Sequence, residues 1–544
     1  MLTSEISLWP SGPMVTLGAY FIGWKYVFSL LFLLWAIGLL RWPSRLWLLG
    51  GTLLLATVAI VGLALPLERP YGLVEDRAGL FELATPMVAA ARGTPAEGWL
   101  VAETNPFPLW SFVLAVTSGH DTERLLAFYR WIPALALSFF AFALYGWIST
   151  IETEGSSRRW GAPLAVFLAI FLSTDRLGFL REGATLWTET FWLRPRIACA
   201  MSLLFSFLWT LGRAEGLRGF LTAAGLLAAT AWTEPQIALL GAAGTLGPAL
   251  ARRSGRAVLS LVVAGALFAV WPVPLVSRWP GASGAWTGGL GALYSLTIDR
   301  GLIFVLATYG SCRLLGSSRN RSSELFLGLL GTTFALYFVG CWSPAVSQWL
   351  DRDLVTRIAS FLLASAAGLG LSSLLAGLPP HLDRSLDSRV LALFLVVSLP
   401  WCFPYWWHAV RMDETYRQSL VPVSRQRVEL AAWIRSNTSS DAVFTAGPTY
   451  GPWIGALTGR RLLWVEGAAE LSDGRRQAQS SILESRDSVE IRAAVEKWGV
   501  THVAWGRLDA DGPFEFHSDF AKKSPMFSEV HSQRRWVVVY EIRP

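Results

Sequence analysis

Long apolar runs alternate with short charged turns over the first three quarters of the chain. A membrane-spanning helix needs about 20 predominantly apolar residues, and fewer where a bundle encloses it. On that criterion the pattern predicts about twelve spanning helices. We expect them near residues 16–40, 46–65, 128–150, 161–174, 196–212, 218–232, 236–250, 256–276, 301–316, 323–342, 354–377 and 389–407. The pattern therefore predicts an α-helical polytopic membrane domain over residues 1–407, with a long loop at 66–127.

The short turns between the apolar runs predict an orientation. Positive residues in short loops favour the cytoplasmic side. Every second turn carries arginine, so we expect these turns in the cytoplasm and the alternate loops, with both chain termini, outside it. The protein would then be a multi-pass protein of the inner or plasma membrane with extracytoplasmic N- and C-termini. The turns carry Arg41 and Arg45, Arg158 and Arg159, Arg213 and Arg218, Arg252, Arg253 and Arg256, Arg319 and Arg321, and Arg384 and Arg389.

After residue 407 the chain changes to alternating amphipathic and short apolar segments. Helices and strands that alternate along a chain are typical of small α/β domains. We therefore predict an extracytoplasmic α/β domain over residues 408–544. Its predicted helices are Arg425–Ser436 and Asp487–Trp498, and its predicted strands are Asp441–Ala446, Arg461–Val465, Thr501–Trp505 and Arg535–Ile542.

Composition supports a bilayer as the principal environment. Hydrophobic residues make up 53% of the 544 residues and charged residues 16%, whereas soluble chains average about 25% charged. The 28 Trp fit membrane–water boundaries, where an amphipathic ring is favoured. The net charge of +7 comes with arginine in short turns rather than on one binding face, so we expect no nucleic-acid partner. The four Cys show no CxxC or metal-like spacing, so we expect neither a disulfide framework nor a bound cofactor, although a divalent metal stays open.

An acidic pair opens the first long loop. Glu75 and Asp76 follow the apolar run ending at Leu65 within about ten residues. A carboxylate held just above the bilayer can accept a proton from a hydroxyl nucleophile, and nearby apolar surface raises its pKa toward that task. The alternative is a solvated acidic pair at a helix end.

A second candidate is Glu234, between two short apolar segments in the stretch GLLAATAWTEPQIALLGAAG at Gly225–Gly244. A break of this kind within a membrane is tolerated where protein or water covers the backbone. An intramembrane glutamate is costly when exposed to lipid. We therefore expect Glu234 to face a cavity or the outside surface, with a plain hairpin tip as the alternative.

A third candidate set is Arg352 and Arg357, at the outside start of the run RIASFLLASAAGLGL. Arginine can hold a phosphate through two parallel hydrogen bonds. The alternative is an anchoring arginine that reaches lipid headgroups.

The loop at 175–196 has mixed charges, including Arg196, and such loops are usually solvated surface. The chain contains no GxxxxGK[ST], HExxH or GxSxG.

Together these features resemble the GT-C class of polytopic glycosyltransferases, which includes polyprenyl-phosphate-sugar-dependent mannosyl- and arabinosyltransferases and oligosaccharyltransferase catalytic subunits. The resemblance lies in the acidic loop at Glu75-Asp76, the short helices around Thr233-Glu234-Pro235, the late helix from Arg357 and the α/β tail. It departs from the class in having two predicted helices before the acidic loop, where one is usual, and in lacking a plain Asp-Asp or Asp-Glu pair.

The resemblance implies inverting transfer of a sugar from a polyprenyl-phosphate donor to an extracytoplasmic acceptor, a lipid, glycan or protein. It implies Asp76 as the base, Glu75 as its neighbour or acceptor-binding group, Arg352 and Arg357 as phosphate ligands, and Glu234 as a further substrate-binding residue near the same cleft. Two other classes stay open. One is a non-catalytic GT-C-like protein whose tail binds a partner or glycan. The other is a transporter, which fits less well because the two halves look unrelated and a large tail is present.

Overall fold

The computed structural model describes residues 17–41, 44–64, 73–75, 108–118, 131–152, 160–171, 195–270, 301–316, 320–343, 350–376, 420–422, 425–447, 450–463, 474–506, 515–533 and 537–543. The chain divides into two compact units. The helical unit comprises Met1–Glu68, Trp131–Leu275 and Trp279–Arg417. The α/β unit comprises Arg69–Arg130, Val276–Arg278 and Gln418–Pro544. The boundary predicted at residue 407 stays a prediction.

The helical unit contains eleven described helices at predicted positions. They are α1 Leu17–Arg41, α2 Arg45–Ala64, α4 Ile132–Ile151, α5 Gly161–Phe171, α6 Pro195–Arg213, α7 Leu217–Thr233, α8 Pro235–Ala251, α9 Gly255–Val270, α10 Gly301–Gly316, α11 Arg321–Trp342 and α12 Arg352–Ala376. The α/β unit supplies α3 Pro108–Ser118, which the sequence pattern did not indicate. The predicted span at 389–407 lies outside the described residues.

Four described helices are long and apolar enough to cross a bilayer by themselves: Ile132–Ile151, Pro195–Arg213, Arg321–Cys341 and Leu354–Ala376. Large apolar side chains such as Phe139, Phe142 and Val305 are exposed on the outer faces of these helices and their neighbours. Exposed apolar faces of this kind suit lipid rather than water. The total number of spans stays a prediction.

An aromatic core holds the centre of the bundle together. Phe140 of α4 contacts Phe205 of α6 at 5.4 Å and Phe361 of α12 at 5.0 Å between ring centroids. Trp147, fully buried, stacks on Phe205 and contacts Phe326 of α11. Edge-on and offset ring pairs of this kind add about 0.5–1.5 kcal/mol beyond area burial. Four helices are thereby fixed around one cluster.

The close approach of α10 and α12 requires small residues. A Cβ at Gly310 would collide with the backbone of Ala366 and Gly370. Tight backbone contacts through small residues are a common way for membrane helices to associate, because lipid supplies no hydrophobic force between them. This packing anchors the long helix that carries Arg352 and Arg357.

The α/β unit contains a five-stranded sheet of order β4-β3-β5-β7-β6. Strand β3 pairs in parallel with β4 and β5, and β7 pairs antiparallel with β5 and β6. A separate pair joins β1 to β2, with Glu75 opposite Leu420. The elements are β1 Leu73–Glu75, β2 Leu420–Pro422, α13 Arg425–Asn437, β3 Val443–Ala446, α14 Gly451–Thr458, β4 Arg461–Leu462, α15 Arg475–Glu484, α16 Ser488–Trp498, β5 His502–Gly506, α17 Ser518–Lys523, β6 Phe527–Gln533 and β7 Val537–Ile542.

Two polar side chains inside the α/β unit are fixed by specific partners. Arg460 is buried and donates to the carbonyl oxygens of Arg435 at 3.1 Å and Thr438 at 2.9 Å, which closes the end of α13. His502 stacks on Phe444 at 4.8 Å between centroids and contacts the Thr501 hydroxyl at 2.8 Å. Burial is the largest influence on the pKa of His502 and lowers it, because desolvation disfavours the charged ring.

Candidate functional site

Glu234 lies at the break between α7 and α8. Pro235 has no N–H and restricts the residue before it to extended backbone. Glu234 accordingly has φ −154° and ψ 99°, and α8 begins at Pro235. The break predicted from the sequence is therefore present, and it presents the Glu234 carboxylate between two helix ends.

The Glu234 carboxylate forms an ion pair with Arg196, in the first turn of α6. Both residues are buried, with 4% of Glu234 and 9% of Arg196 exposed. Arg196 also donates to the Thr233 carbonyl oxygen at 3.4 Å. Removing two charges from water is costly unless they pair, so this contact fixes α6 against the α7–α8 break. The interpretation of Arg196 as part of a solvated loop surface is wrong, because the residue is buried in the first turn of α6. The rest of that loop, 175–194, lies outside the described residues.

A second contact joins the same break to α12. The side-chain oxygen of Gln236, which is buried, accepts a hydrogen bond of 2.7 Å from the backbone N–H of Asp351. Asp351 immediately precedes the first residue of α12. We call Arg196, Glu234, Gln236 and Asp351 the Glu234 cluster. It connects three separate parts of the chain at one end of the helical unit.

The two candidate phosphate ligands lie on α12, directly after this cluster. Five residues along an α-helix correspond to a rotation of about 140° between side chains, so Arg352 and Arg357 leave the helix on different faces. Arg357 is 4% exposed, whereas Arg352 is half-buried. A buried side chain does not reach out to lipid headgroups, which argues against the anchoring alternative for Arg357.

The acidic pair belongs to the α/β unit. Glu75 is the last residue of β1 and lies opposite Leu420 in the pairing with β2. Asp76 follows it in sequence and lies outside the described residues. The proposed convergence of Asp76 with Arg352 and Arg357 therefore stays a prediction, as do the roles of all five candidate residues.

A metal site needs several donor side chains close together. No group of three or more His, Cys, Asp or Glu side chains comes together within the described part of the chain. Glu234, the acidic member of the cluster with a buried carboxylate, is engaged by Arg196.

The architecture is similar to that of several solved membrane enzymes. An oligosaccharyltransferase from Archaeoglobus fulgidus, crystallised with Zn and sulfate, aligns at 13% identity and a TM-score of 0.55, covering 90% of this chain and 72% of that one. ArnT from Cupriavidus metallidurans bound to undecaprenyl phosphate aligns at 12% identity and 0.52, covering 90% and 97%. Arabinofuranosyltransferase AftD from Mycobacteria aligns at 13% identity and 0.55, covering 92% of this chain and 40% of that one.

This chain has a GT-C-like fold. No protein-family model and no curated protein matches it in sequence. The predicted fold class, a mainly helical membrane protein with a small C-terminal α/β domain, is confirmed. Because one fold serves many activities, the GT-C-like fold alone does not assign a reaction.

Proposed function

We propose that the protein is a membrane glycosyltransferase that moves a sugar from a polyprenyl-phosphate donor to an acceptor hydroxyl. The observation that carries the proposal is the Glu234 cluster, which fixes α12 and its buried Arg357 at one end of a GT-C-like bundle. A guanidinium group can hold a phosphate through two parallel hydrogen bonds. A lipid-linked phosphate has the charge and shape that such a group binds.

The solved relatives support a lipid phosphate as the ligand class. ArnT was crystallised with undecaprenyl phosphate, and the archaeal oligosaccharyltransferase AglB was solved with an inhibitory peptide and a dolichol-phosphate. Both ligands pair a long apolar chain with one phosphate group. We extend that class to this protein, with the sugar and the acceptor, whether lipid, glycan or protein, left open.

In the proposed reaction Asp76 takes the proton from the acceptor hydroxyl. The acceptor oxygen then forms a bond to the anomeric carbon while the bond from that carbon to the phosphate oxygen breaks, which inverts the configuration. The polyprenyl phosphate leaves with the electron pair, and its added negative charge is stabilised by Arg357 and Arg352. Fixed cations aimed at developing charge are an effective source of rate enhancement, because they need no reorganisation during the reaction.

The Glu234 cluster is proposed to hold this site in place. Glu234 pairs with Arg196 and Gln236 binds the backbone at Asp351. The first contact fixes α6 at the α7–α8 break and the second fixes the start of α12 at the same break, so we propose that these residues position the site. Glu75 is proposed to support Asp76 or to bind the acceptor.

We further propose that the site faces outside the cytoplasm, with both termini on that side. Reporter fusions after Trp407 and after Arg159 test the orientation. The fusion after Trp407 should report an extracytoplasmic position and the fusion after Arg159 a cytoplasmic one. A cytoplasmic signal from the tail would place the arginine-bearing turns outside and remove the proposed orientation.

Transfer is tested with membranes containing the protein and a labelled polyprenyl-phosphate sugar, with label in the acceptor fraction as readout. Asp76→Asn should lower turnover by about 10²–10⁴-fold, because it keeps the shape and removes the proton acceptor. Glu103→Gln, a change of one carboxylate in the same predicted loop, is the matched control and should leave turnover unchanged.

The non-catalytic alternative gives a different result. A binding protein should tolerate Asp76→Asn and lose its biological effect when the tail is deleted after Trp407. Unimpaired transfer by Asp76→Asn would rule out this base assignment. Absence of transfer with every donor tried, from wild-type protein that is inserted and folded, would favour the non-catalytic reading.

A further inference from the structure

At the end of the helical unit opposite the Glu234 cluster, three turns contact one another. They are the turn between α6 and α7, the turn between α8 and α9, and the start of α11. Arg321 donates to the Ala214 carbonyl oxygen at 3.1 Å, Arg256 donates to the Glu215 carbonyl oxygen at 3.3 Å, and Arg252 forms an ion pair with Glu324. Each turn is thus joined to the other two, so their arginines lie on one continuous surface.

This surface, which we call the arginine rim, carries more positive than negative charge. Its cations are Arg213, Arg218, Arg252, Arg253, Arg256 and Arg321, and the acidic residues in the same described turns are Glu215 and Glu324. Glu324 is engaged by Arg252 through both carboxylate oxygens. The arginines at 213, 218, 253 and 256 are exposed. The rim therefore keeps a net positive charge that attracts anions.

The local helix geometry strengthens that attraction. Helices α7 and α9 pack together, and each begins at the rim with no acidic residue in its first turn. A helix N-terminus already has a positive partial charge, and Arg218 and Arg256 add to it rather than oppose it. Arg253 has φ 50°, a left-handed backbone that an arginine adopts only with strain. The fold therefore holds cations where local electrostatics and backbone geometry both disfavour them.

Apolar side chains adjoin the rim directly. Leu217 precedes Arg218 and is 57% exposed, and Leu250, three residues before Arg253, is 59% exposed. Arg213 lies over the ring of Trp209 at 5.6 Å, and Trp is typical of the membrane–water boundary. A soluble anion would use the cations and leave the leucines in water. A lipid would use both.

We propose that the arginine rim binds the headgroup of an acidic phospholipid, with the acyl chains against Leu217 and Leu250. The partner is fixed by charge complementarity and by the adjoining apolar surface. This site is separate from the proposed transfer site, and it does not depend on the transfer activity. Basic residues at a membrane surface each contribute about 1 kcal/mol to binding of acidic lipid.

The test is retention of phosphatidylglycerol over phosphatidylcholine by the purified full-length protein, measured by native mass spectrometry after extraction from mixed vesicles. Arg218→Gln combined with Arg253→Gly should lower the preference for phosphatidylglycerol about 25-fold, or about fivefold per arginine, which corresponds to about 1 kcal/mol each. Glycine favours the left-handed backbone at position 253, so this change relieves strain and a lower preference cannot be assigned to unfolding.

Arg313→Gln is the matched control, since Arg313 is an exposed arginine near the C-terminal end of α10 and outside the three turns. An equal loss in the control would mean a general charge effect and overturn the proposal. Unchanged preference in the Arg218→Gln and Arg253→Gly protein would also overturn it.

Inorganic phosphate should not displace the lipid. Should it do so, the rim binds free anions instead. In wild-type protein the preference should fall as ionic strength rises, because exposed charges are screened, and an unchanged preference would again overturn the proposal.

Discussion

The Arg196–Glu234 pair provides a quantitative test of what holds the proposed site together. The two residues lie on α6 and at the α7–α8 break, far apart in sequence, and both are buried. Glu234→Gln removes the charge and keeps the size of the side chain. Arg196→Met removes the other charge and keeps most of the length. Each change removes one member of the buried ion pair and leaves the other charge in place.

The expected magnitude follows from the burial. Two unit charges about 4 Å apart attract by about 4 kcal/mol at an effective dielectric constant of 20. Breaking a buried pair by removing one partner costs about 3–5 kcal/mol, because the remaining charge is not compensated. Replacing both partners is much less costly, since neither charge then has to be desolvated. The double variant should therefore be no less stable than either single variant, with a coupling free energy of at least about 3 kcal/mol.

The assay is equilibrium unfolding of the four proteins in mixed micelles of mild detergent and SDS, which gives a free energy of unfolding for each. The matched control is the Arg252–Glu324 pair, whose side chains are 36% and 30% exposed. Exposed pairs are worth about 0–1 kcal/mol, so Arg252→Met with Glu324→Gln should show little coupling. The same variants can be tested for label transfer, where a positioning role predicts a lower turnover with the donor still bound.

Two results would refute the reasoning. Additive losses at Arg196 and Glu234 would show that the pair does not act as a unit. A coupling free energy at the exposed pair as large as at the buried pair would show that burial is not its source. In either case the Arg196–Glu234 pair would lose its proposed role in fixing α6 at the α7–α8 break.

Three further predictions concern other parts of the chain. Arg357→Ala should raise the KM for a lipid-phosphate donor in the transfer assay. Arg357→Lys should lower the KM only part of the way back, because an ammonium cannot form the two parallel hydrogen bonds of a guanidinium. A wild-type KM in Arg357→Lys would contradict bidentate binding. Arg460→Met should destabilise the α/β unit by about 2–3 kcal/mol, because buried carbonyl groups lose charged donors; protease resistance of the tail in the full-length protein measures this. Burial lowers the pKa of His502, so the unfolded chain binds the proton more readily than the folded chain. The His502 contribution to tail stability should therefore be complete above about pH 6.5 and should fall as the pH drops below it. His502→Gln should reduce this dependence of stability on pH in the same protease assay, and an unchanged dependence would exclude His502 as its source.

The spanning helices were accessible to sequence reasoning because apolar length carries most of the signal. Each predicted span within the described residues coincides with a helix, and the break at Glu234 was indicated by the proline that follows it. The arginine-bearing turns do lie together where the structure describes them. Their assignment to the cytoplasm is a separate prediction, since contacts among turns do not reveal which side of a membrane they face.

The α/β unit was predicted less completely, for a physical reason. The predicted strands had buried apolar runs, and they are present as Val443–Ala446, Arg461–Leu462, His502–Gly506 and Val537–Ile542. Strand β6, Phe527–Gln533, was missed because it has only two apolar residues, Phe527 and Val530, which do not alternate with polar ones, and because it lies at the edge of the sheet. The helices Gly451–Thr458 and Arg475–Glu484 were missed because short helices depend on tertiary packing more than on propensity.

The Arg196–Glu234 pair could have been indicated by the sequence, because each charge lies where it is unfavourable alone. Pro195 begins a helix well, so Arg196 falls in a first turn, where a cation is disfavoured by the helix dipole. Glu234 falls at a break beside apolar helices, where an anion is disfavoured. Each residue alone looks misplaced, and pairing the two removes both penalties at once. A search for intramembrane charges that are individually unfavourable and opposite in sign would have selected this pair from the sequence.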